Sequence, residues 1–253
     1  IHLEILYPIS AKKEMMGYLC HMRESNGKMI EIWLYGYGHM GRLHARKLHM
    51  RRDVKLYIID PLHSFPTPKR QWPDGVIVAS PTRTHHHIAA QFLEREIPTL
   101  VEKPAAISSE LARKMAQKSS LCVGHIERFG AVWKKLRDCK PGFIQAERVS
   151  PFTGRGEDID VILDLMIHDI DLCLQLFGPH IREIRACGMP VVTDRVDLVN
   201  ARIEFATGTA QLSASRVATK GSRTLRLFSA GCYHSADLQN QSLQRVSSVD
   251  GTI

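Results

Sequence analysis

Ile30-Glu31-Ile32-Trp33-Leu34-Tyr35 runs directly into Gly36-Tyr37-Gly38-His39-Met40-Gly41, and this junction decides the fold. The first six residues read as a strand and residues 41–51 as a helix, so the G-x-G-x-x-G stands where a strand turns into a helix. Glycine triplets also occur in ordinary turns; the placement gives this one its meaning. The first glycine suits a tight turn, the second lets backbone approach a pyrophosphate, and the third lets helix pack on strand. The helix N-terminus adds unsatisfied N–H groups and the positive end of its dipole. A second apolar run, Val54-Lys55-Leu56-Tyr57-Ile58-Ile59, ends in Asp60. That is about the twenty-residue interval of an acid that accepts from a ribose. An Asp there repels a 2′-phosphate, so the expected cofactor is NAD rather than NADP. Gly36, Tyr37, Gly38, His39, Met40, Gly41 and Asp60 are the first candidate cofactor-binding residues.

Outward from this junction the first half alternates strand and helix. Further strands are expected at 75–79, 97–102 and 121–124, and helices at 84–96 and 108–118, the latter opened by Ser108-Ser109-Glu110 as a capping signal. Near-continuously apolar strands alternating with helices predict an α/β, doubly wound parallel sheet, a Rossmann domain over residues 30–124. Prolines at 61, 66, 68 and 73 forbid a regular helix between Pro61 and Asp74. The second half changes character. After a helix over Ile126–Arg137 and a Lys140-Pro141-Gly142 break, strands are expected at 143–149, 181–187, 198–206, 209–217 and 223–230, with a hairpin turn at Thr207-Gly208. One long helix, 159–177, ends at Gly178-Pro179. Residues 125–253 therefore predict an α+β domain, a mostly antiparallel open sheet with a helix on one face, serving substrate binding and oligomerisation. Residues 1–29 form an N-terminal extension of unassigned role: a helix over Lys12–Arg23, an oligomer arm, or sequence foreign to the protein.

Bulk composition narrows the classes. With 253 residues, 44% hydrophobic and 24% charged, the chain has the make-up of a globular protein with room for two modest domains. No run approaches the roughly 18 apolar residues of a membrane span, and no secretory signal is read in the first 29 residues. Cysteines at 20, 122, 139, 173, 187 and 232 include no C-x-x-C pair; Cys122 and Cys173 lie in apolar runs, where a free thiol behaves as a small hydrophobe. A reducing cytoplasm is expected. The net charge of +8 is spread along the chain without a basic stripe interleaved with aromatics, so no nucleic acid is expected and a phosphorylated small substrate fits.

The 159–177 helix is apolar nearly all round, which predicts burial. Yet Asp160, Asp164, His168, Asp171 and Gln175 recur at spacings of four, four, three and four, along one face. Buried carboxylates and an imidazole are costly unless paired or used. Asp164 and His168, at i and i+4, can pair so that the carboxylate orients the imidazole and raises its basicity. A solvent-facing polar stripe is the competing reading, against which the narrowness of the stripe argues. Asp171, a turn further on, is expected to tolerate Asn almost silently. Val101-Glu102-Lys103-Pro104 ends the fourth strand; ligands bind beyond the carboxyl ends of such strands, where Lys103 can donate to a substrate oxygen. His85-His86-His87 start a helix and point in different directions, so no metal is expected.

Taken together, G-Y-G-H-M-G at 36–41, S-P-T-R-T-H at 80–85, E-K-P at 102–104 and D-L-M-I-H at 164–168 resemble the oxidoreductase family grouped around glucose–fructose oxidoreductase and inositol dehydrogenase. The resemblance implies a catalytic set of Lys103, Asp164 and His168. It also implies that Ser80, Pro81, Thr82, His85 and Lys103 line the cofactor, that Glu102 lies near the nicotinamide ribose, and that Pro104 is cis. Val123-Gly124-His125-Ile126-Glu127-Arg128-Phe129 is similar to the G-H-x-x-R-F of members that oxidise the 3-hydroxyl of UDP-N-acetylglucosamine. That implies substrate-binding roles for His125, Arg128, Arg155 and His168. Two departures stand out: the proline-rich stretch replaces a helix that relatives carry after the ribose acid, and the C-terminal domain is shorter than theirs.

The expected function is NAD-dependent oxidation of a secondary sugar hydroxyl to a ketone, with a nucleotide sugar as substrate. One rival is an NAD-using glycoside hydrolase, which would release no stoichiometric NADH. The other is a non-catalytic dinucleotide-sensing regulator, for which Lys103, Asp164 and His168 would be superfluous. A homodimer or homotetramer is expected, because alternation such as Ala201-Arg202-Ile203-Glu204-Phe205 gives each strand an apolar face and one helix covers one side only.

Overall fold

The structure, a computed structural model, describes residues 29–154 and 159–248. Arg155 and the helix expected over Lys12–Arg23 lie outside them. The chain divides into two compact units between Gly124 and His125.

The first unit carries β1 (Ile30–Tyr35), α1 (His39–His49), β2 (Val54–Ile59), β3 (Gly75–Val78), α2 (Thr82–Leu93), β4 (Thr99–Val101), α3 (Ser109–Ala116) and β5 (Leu121–Val123). The strands form one parallel sheet in the order β2-β1-β3-β4-β5. Alternate residues feed opposite faces. Ile30, Ile32 and Leu34 pack with Ala45 and Leu48 of α1, while Trp33, Val76 and Val78 pack with Phe92 of α2 and Met115 of α3. Burial on both sides explains why these strands read as unbroken apolar runs. Two helices begin earlier than expected, α1 at His39 after Gly38 and α2 at Thr82 after Pro81. Helix α3 has the expected cap, Ser108 Oγ accepting from the Leu111 N–H at 3.3 Å. The proline-rich segment between β2 and β3 has neither helix nor strand. It packs by its rings, Phe65 against Tyr37 and Trp72 against Phe92.

The second unit opens with a 3-10 turn (Ile126–Phe129) and α4 (Ala131–Leu136), so the single helix expected over 126–137 is broken at Gly130. Then come β6 (Phe143–Val149), a π-helical turn (Ile162–Met166), α5 (Ile167–Phe177), β7 (Ile181–Met189), β8 (Leu198–Phe205), β9 (Thr209–Ser215), β10 (Ser222–Ser229), β11 (Cys232–Asp237) and β12 (Ser242–Ser247). The seven strands run β12-β11-β10-β6-β9-β8-β7, antiparallel except for the parallel β6–β9 pair. Five strands were expected; β11 and β12 extend the sheet beyond them.

The inward face of this sheet is apolar and buried: Ile144, Ala146, Val199, Ala201, Ile203, Phe205, Leu212, Leu225 and Leu227. The other face is not the apolar surface expected. Between the inward positions stand Gln145, Asn200, Arg202, Glu204, Gln211 and Arg226, and the aromatic side chains there gather in one corner, Phe143–Phe228–Tyr233. The apolar half of each alternation is the half that the helix covers.

Candidate active site

The strand order places a topological switch point between β1 and β3, where open parallel sheets bind ligands. The glycine turn is built for close approach there. Gly36 has φ +91°, and a Cβ on it would lie 2.6 Å from the Ala79 carbonyl oxygen. A Cβ on Gly41 would strike the Gly36 carbonyl, so the third glycine lets α1 sit against the turn. Around Gly38 a Cβ would meet nothing within 4 Å. The second glycine thus opens on clear space beside the first amides of α1, where His39 and Met40 lie in the first helical turn. This combination fits a dinucleotide pyrophosphate.

Asp60 is tied into the same turn. Its Oδ2 accepts from the Tyr37 N–H at 2.7 Å, and its Oδ1 accepts from the Leu62 N–H at 2.9 Å and lies 2.8 Å from His63 Nδ1. Burial pushes its carboxyl up, but His63 and the two amides outweigh this and hold it below the usual carboxylate value. Sequence offered Asp60 as a ribose acceptor; in the fold it also fastens the turn.

Three more segments converge on the carboxyl end of this sheet. Ser80 Oγ lies 2.7 Å from Thr84 Oγ1, which donates to the Pro81 carbonyl at 2.7 Å; Thr82 starts α2. His85, 1% exposed, bridges two loops, with Nδ1 2.9 Å from the Pro104 carbonyl and Nε2 2.8 Å from the Ser80 carbonyl. The Lys103–Pro104 peptide is cis. Glu102, buried, meets His44 of α1, Nε2 to Oε1 2.7 Å. Lys103 is half-buried between these two anchored neighbours. His86 and His87 do not share the site of His85, and no group of His, Cys, Asp and Glu among the described residues could hold a metal ion.

In the second unit the five-residue stripe does not run along one straight helix. Within the π-helical turn the Ile167 N–H reaches back to the Ile162 carbonyl, which widens the turn between Asp164 and His168. The stripe divides accordingly. Asp160 Oδ1 accepts from the Val196 N–H at 3.2 Å and seats the loop before β8. Asp164 is half-buried in the π turn, and His168 is buried in the first turn of α5. Asp171, 1% exposed, accepts from Arg128 Nε at 2.7 Å and also from its Nη2, with His125 Nδ1 3.9 Å away. The expectation that Asp171 would be a silent control is therefore wrong: a buried carboxylate in a two-point guanidinium pair is costly to break. Arg128, expected to face a substrate anion, is anchored to α5 by this pair.

A second clamp beside it was missed. Arg148, 2% exposed, donates to Asp169 from Nε (3.0 Å) and Nη2 (2.8 Å), and to Glu127 from Nη1 (2.7 Å). Burial opposes its charge, yet Asp169 and Glu127 hold the guanidinium above the ordinary arginine range. The signal was present in β6, where the period of two puts Arg148 on the inward side with Ile144 and Ala146. A buried arginine needs a buried acid. Glu127 and Arg128 lie in the G-H-x-x-R-F segment, so both clamps fix that segment to the β6 and α5 framework.

Residues 62–120 match the model of the Gfo/Idh/MocA oxidoreductase family, NAD-binding Rossmann fold, and residues 137–231 match that of the Gfo/Idh/MocA C-terminal domain. The chain is 34% identical over 241 residues to a UDP-N-acetylglucosamine 3-dehydrogenase of Acidithiobacillus ferrooxidans, covering 86% of this chain and 77% of the relative. A solved structure of that enzyme superposes with a TM-score of 0.80 at 32% identity, over 89% of this chain and 79% of the other. GenD2 from gentamicin A biosynthesis, solved in complex with NAD, shares the fold at 21% identity with a TM-score of 0.74, over 83% and 73% of the two chains. With the glycine turn, the parallel first sheet and the mostly antiparallel second sheet in place, the chain belongs to the Gfo/Idh/MocA family of NAD-binding oxidoreductases.

Proposed function

We propose that this NAD-dependent sugar dehydrogenase oxidises the 3-hydroxyl of UDP-N-acetylglucosamine, or of a similar nucleotide sugar, to a ketone. The observation that carries the reading is the 34% identity to a UDP-N-acetylglucosamine 3-dehydrogenase across 86% of the chain. The G-H-x-x-R-F segment at 124–129 supports it.

The first unit is assigned to the cofactor and the second to the substrate. The amides of the 36–41 turn would hold the pyrophosphate, Asp60 the adenosine ribose, and Glu102 the ribose on the nicotinamide side. Ser80, Pro81, Thr82 and His85 would line the nicotinamide half. NAD, when bound, supplies the acceptor for the hydride leaving the carbinol carbon. Lys103 stabilises the charge that develops on the carbinol oxygen. The hydroxyl proton goes to His168, supported by Asp164, or to Lys103. His125, Arg128 and Arg155 are assigned to substrate recognition, Arg128 from its position clamped by Asp171.

A panel of UDP-sugars, each incubated with NAD and with NADP while reduced nicotinamide is followed by absorbance, tests the reading. UDP-N-acetylglucosamine with NAD is expected to give the fastest reduction, and Asp60→Ala to narrow the preference over NADP. Reduction with none of the UDP-sugars would contradict the substrate class, and sugar cleavage without NADH release would turn the reading into a hydrolase.

A further inference from the structure

We propose that His44 is a positioning residue for the nicotinamide half of the cofactor, acting by holding the Glu102 carboxylate where it accepts from the ribose hydroxyls on that side. The inference rests on the assignment of Glu102 to that ribose.

Three constraints fix Glu102. Its main chain is pinned to the sheet, with its N–H donating to the Val78 carbonyl at 2.9 Å. Its carboxylate lies over Gly124, where a Cβ would come within 2.8 Å of Oε2 and 3.0 Å of Cδ. A side chain at 124 would press against the carboxylate where it now lies. The third constraint is His44, whose Nε2 lies 2.7 Å from Oε1, with side-chain exposures of 15% for His44 and 10% for Glu102. A carboxylate withdrawn from water this far is costly without such a donor. His44 holds Oε1, and the missing side chain at Gly124 leaves Oε2 the room it occupies. The two residues are 58 apart in sequence. His44 belongs to the helix whose first turn faces the pyrophosphate, and Glu102 follows the fourth strand. The pair therefore ties the pyrophosphate end of the site to its nicotinamide end within the first unit.

Calorimetric titration of the full chain with ADP and with ADP-ribose tests this, since only the second ligand carries the ribose that Glu102 would meet. His44→Ala should weaken ADP-ribose by about tenfold or more, the scale of a hydrogen bond to a charged group, and leave ADP within about twofold. His44→Gln, which keeps an N–H donor, should recover much of the loss. Glu102→Gln should weaken ADP-ribose as His44→Ala does. If Glu102→Gln has no effect, the assignment of Glu102 fails and the proposal with it. If Glu102→Gln weakens ADP-ribose and His44→Ala does not, only the role of His44 is overturned. Equal weakening of ADP and ADP-ribose by His44→Ala would make the pair a structural tie and also overturn the proposal. Should the alanine variant not fold, His44→Asn, whose donor falls short of Glu102, reads the same contrast.

Discussion

Lys103 is flanked by two residues that histidines hold in place, Glu102 by His44 and the Pro104 carbonyl by His85. A side chain presented from so fixed a turn can be removed without disturbing the glycine turn at 36–41. Lys103→Met is therefore expected to bind NAD as the wild type does while turnover falls by about 10²–10⁴-fold, the usual contribution of a general acid–base group. His168→Ala should do likewise, and Asp164→Asn should cost less, because the imidazole remains. Losses under about tenfold in both Lys103→Met and His168→Ala would exclude the two from proton transfer. Asp171 belongs to a different class. Its carboxylate is enclosed and paired with Arg128, so Asp171→Asn should lower unfolding stability by about 1–3 kcal/mol in urea. An unchanged unfolding midpoint would show the pair to contribute nothing.

The loop before β8 shows how an element is held for function. Asp197, fully buried, accepts from the N–H groups of Val191, Val192 and Thr193 at 2.7–2.8 Å and from the Thr193 hydroxyl at 2.7 Å. The same loop reaches the start of the π-helical segment, since the Val161 N–H donates to the Val196 carbonyl at 2.9 Å. Burial pushes the Asp197 carboxyl up, but the three amides and the hydroxyl outweigh it and hold it well below the usual carboxylate range. Its contribution to stability is therefore present above the unfolded value of about 3.9 and is lost as pH falls through the lower folded value. Asp197→Asn should cost about 1–3 kcal/mol at neutral pH and flatten the acid limb of stability against pH. An acid limb as steep as that of the wild type would contradict this. The elements also mark what was legible in sequence. Strands β1 and β2 were placed to the residue because apolar runs bounded by glycine and aspartate leave little choice. Helices α1 and α2 start early because Gly38 and Pro81, not side-chain caps, precede them. The π turn has no propensity signature, so the spacing of Asp160, Asp164 and His168 was read on the wrong helical period. Strands β11 and β12 escaped because Cys232-Tyr233-His234-Ser235-Ala236-Asp237 and Ser242-Leu243-Gln244-Arg245-Val246-Ser247 lack a clean apolar alternation.

At the scale of the whole molecule, the glycine turn and the three motifs spaced after it are enough to reach the family, while the ionic clamps of the second unit escape such a reading. Periodicity finds apolar faces, and a buried Arg148 or Asp169 breaks the rule on which such a reading depends. Among the described residues no helix is long and apolar enough to cross a membrane, and the five described cysteines are free thiols. We propose a homodimer or homotetramer, now with a polar sheet face carrying the Phe143–Phe228–Tyr233 corner as the contact. Interfaces need be no more apolar than the surface around them. Sedimentation should show a dimer or tetramer, and a concentration-independent monomer would refute it. The central claim is that a hydride leaves C3 of the sugar for NAD, and isotopic transfer tests it directly. With UDP-N-acetylglucosamine deuterated at C3, each reduced nicotinamide formed should carry one deuterium, with an equal amount of 3-ketone. Reduced nicotinamide without deuterium, or deuterium kept in the sugar product, would contradict the account.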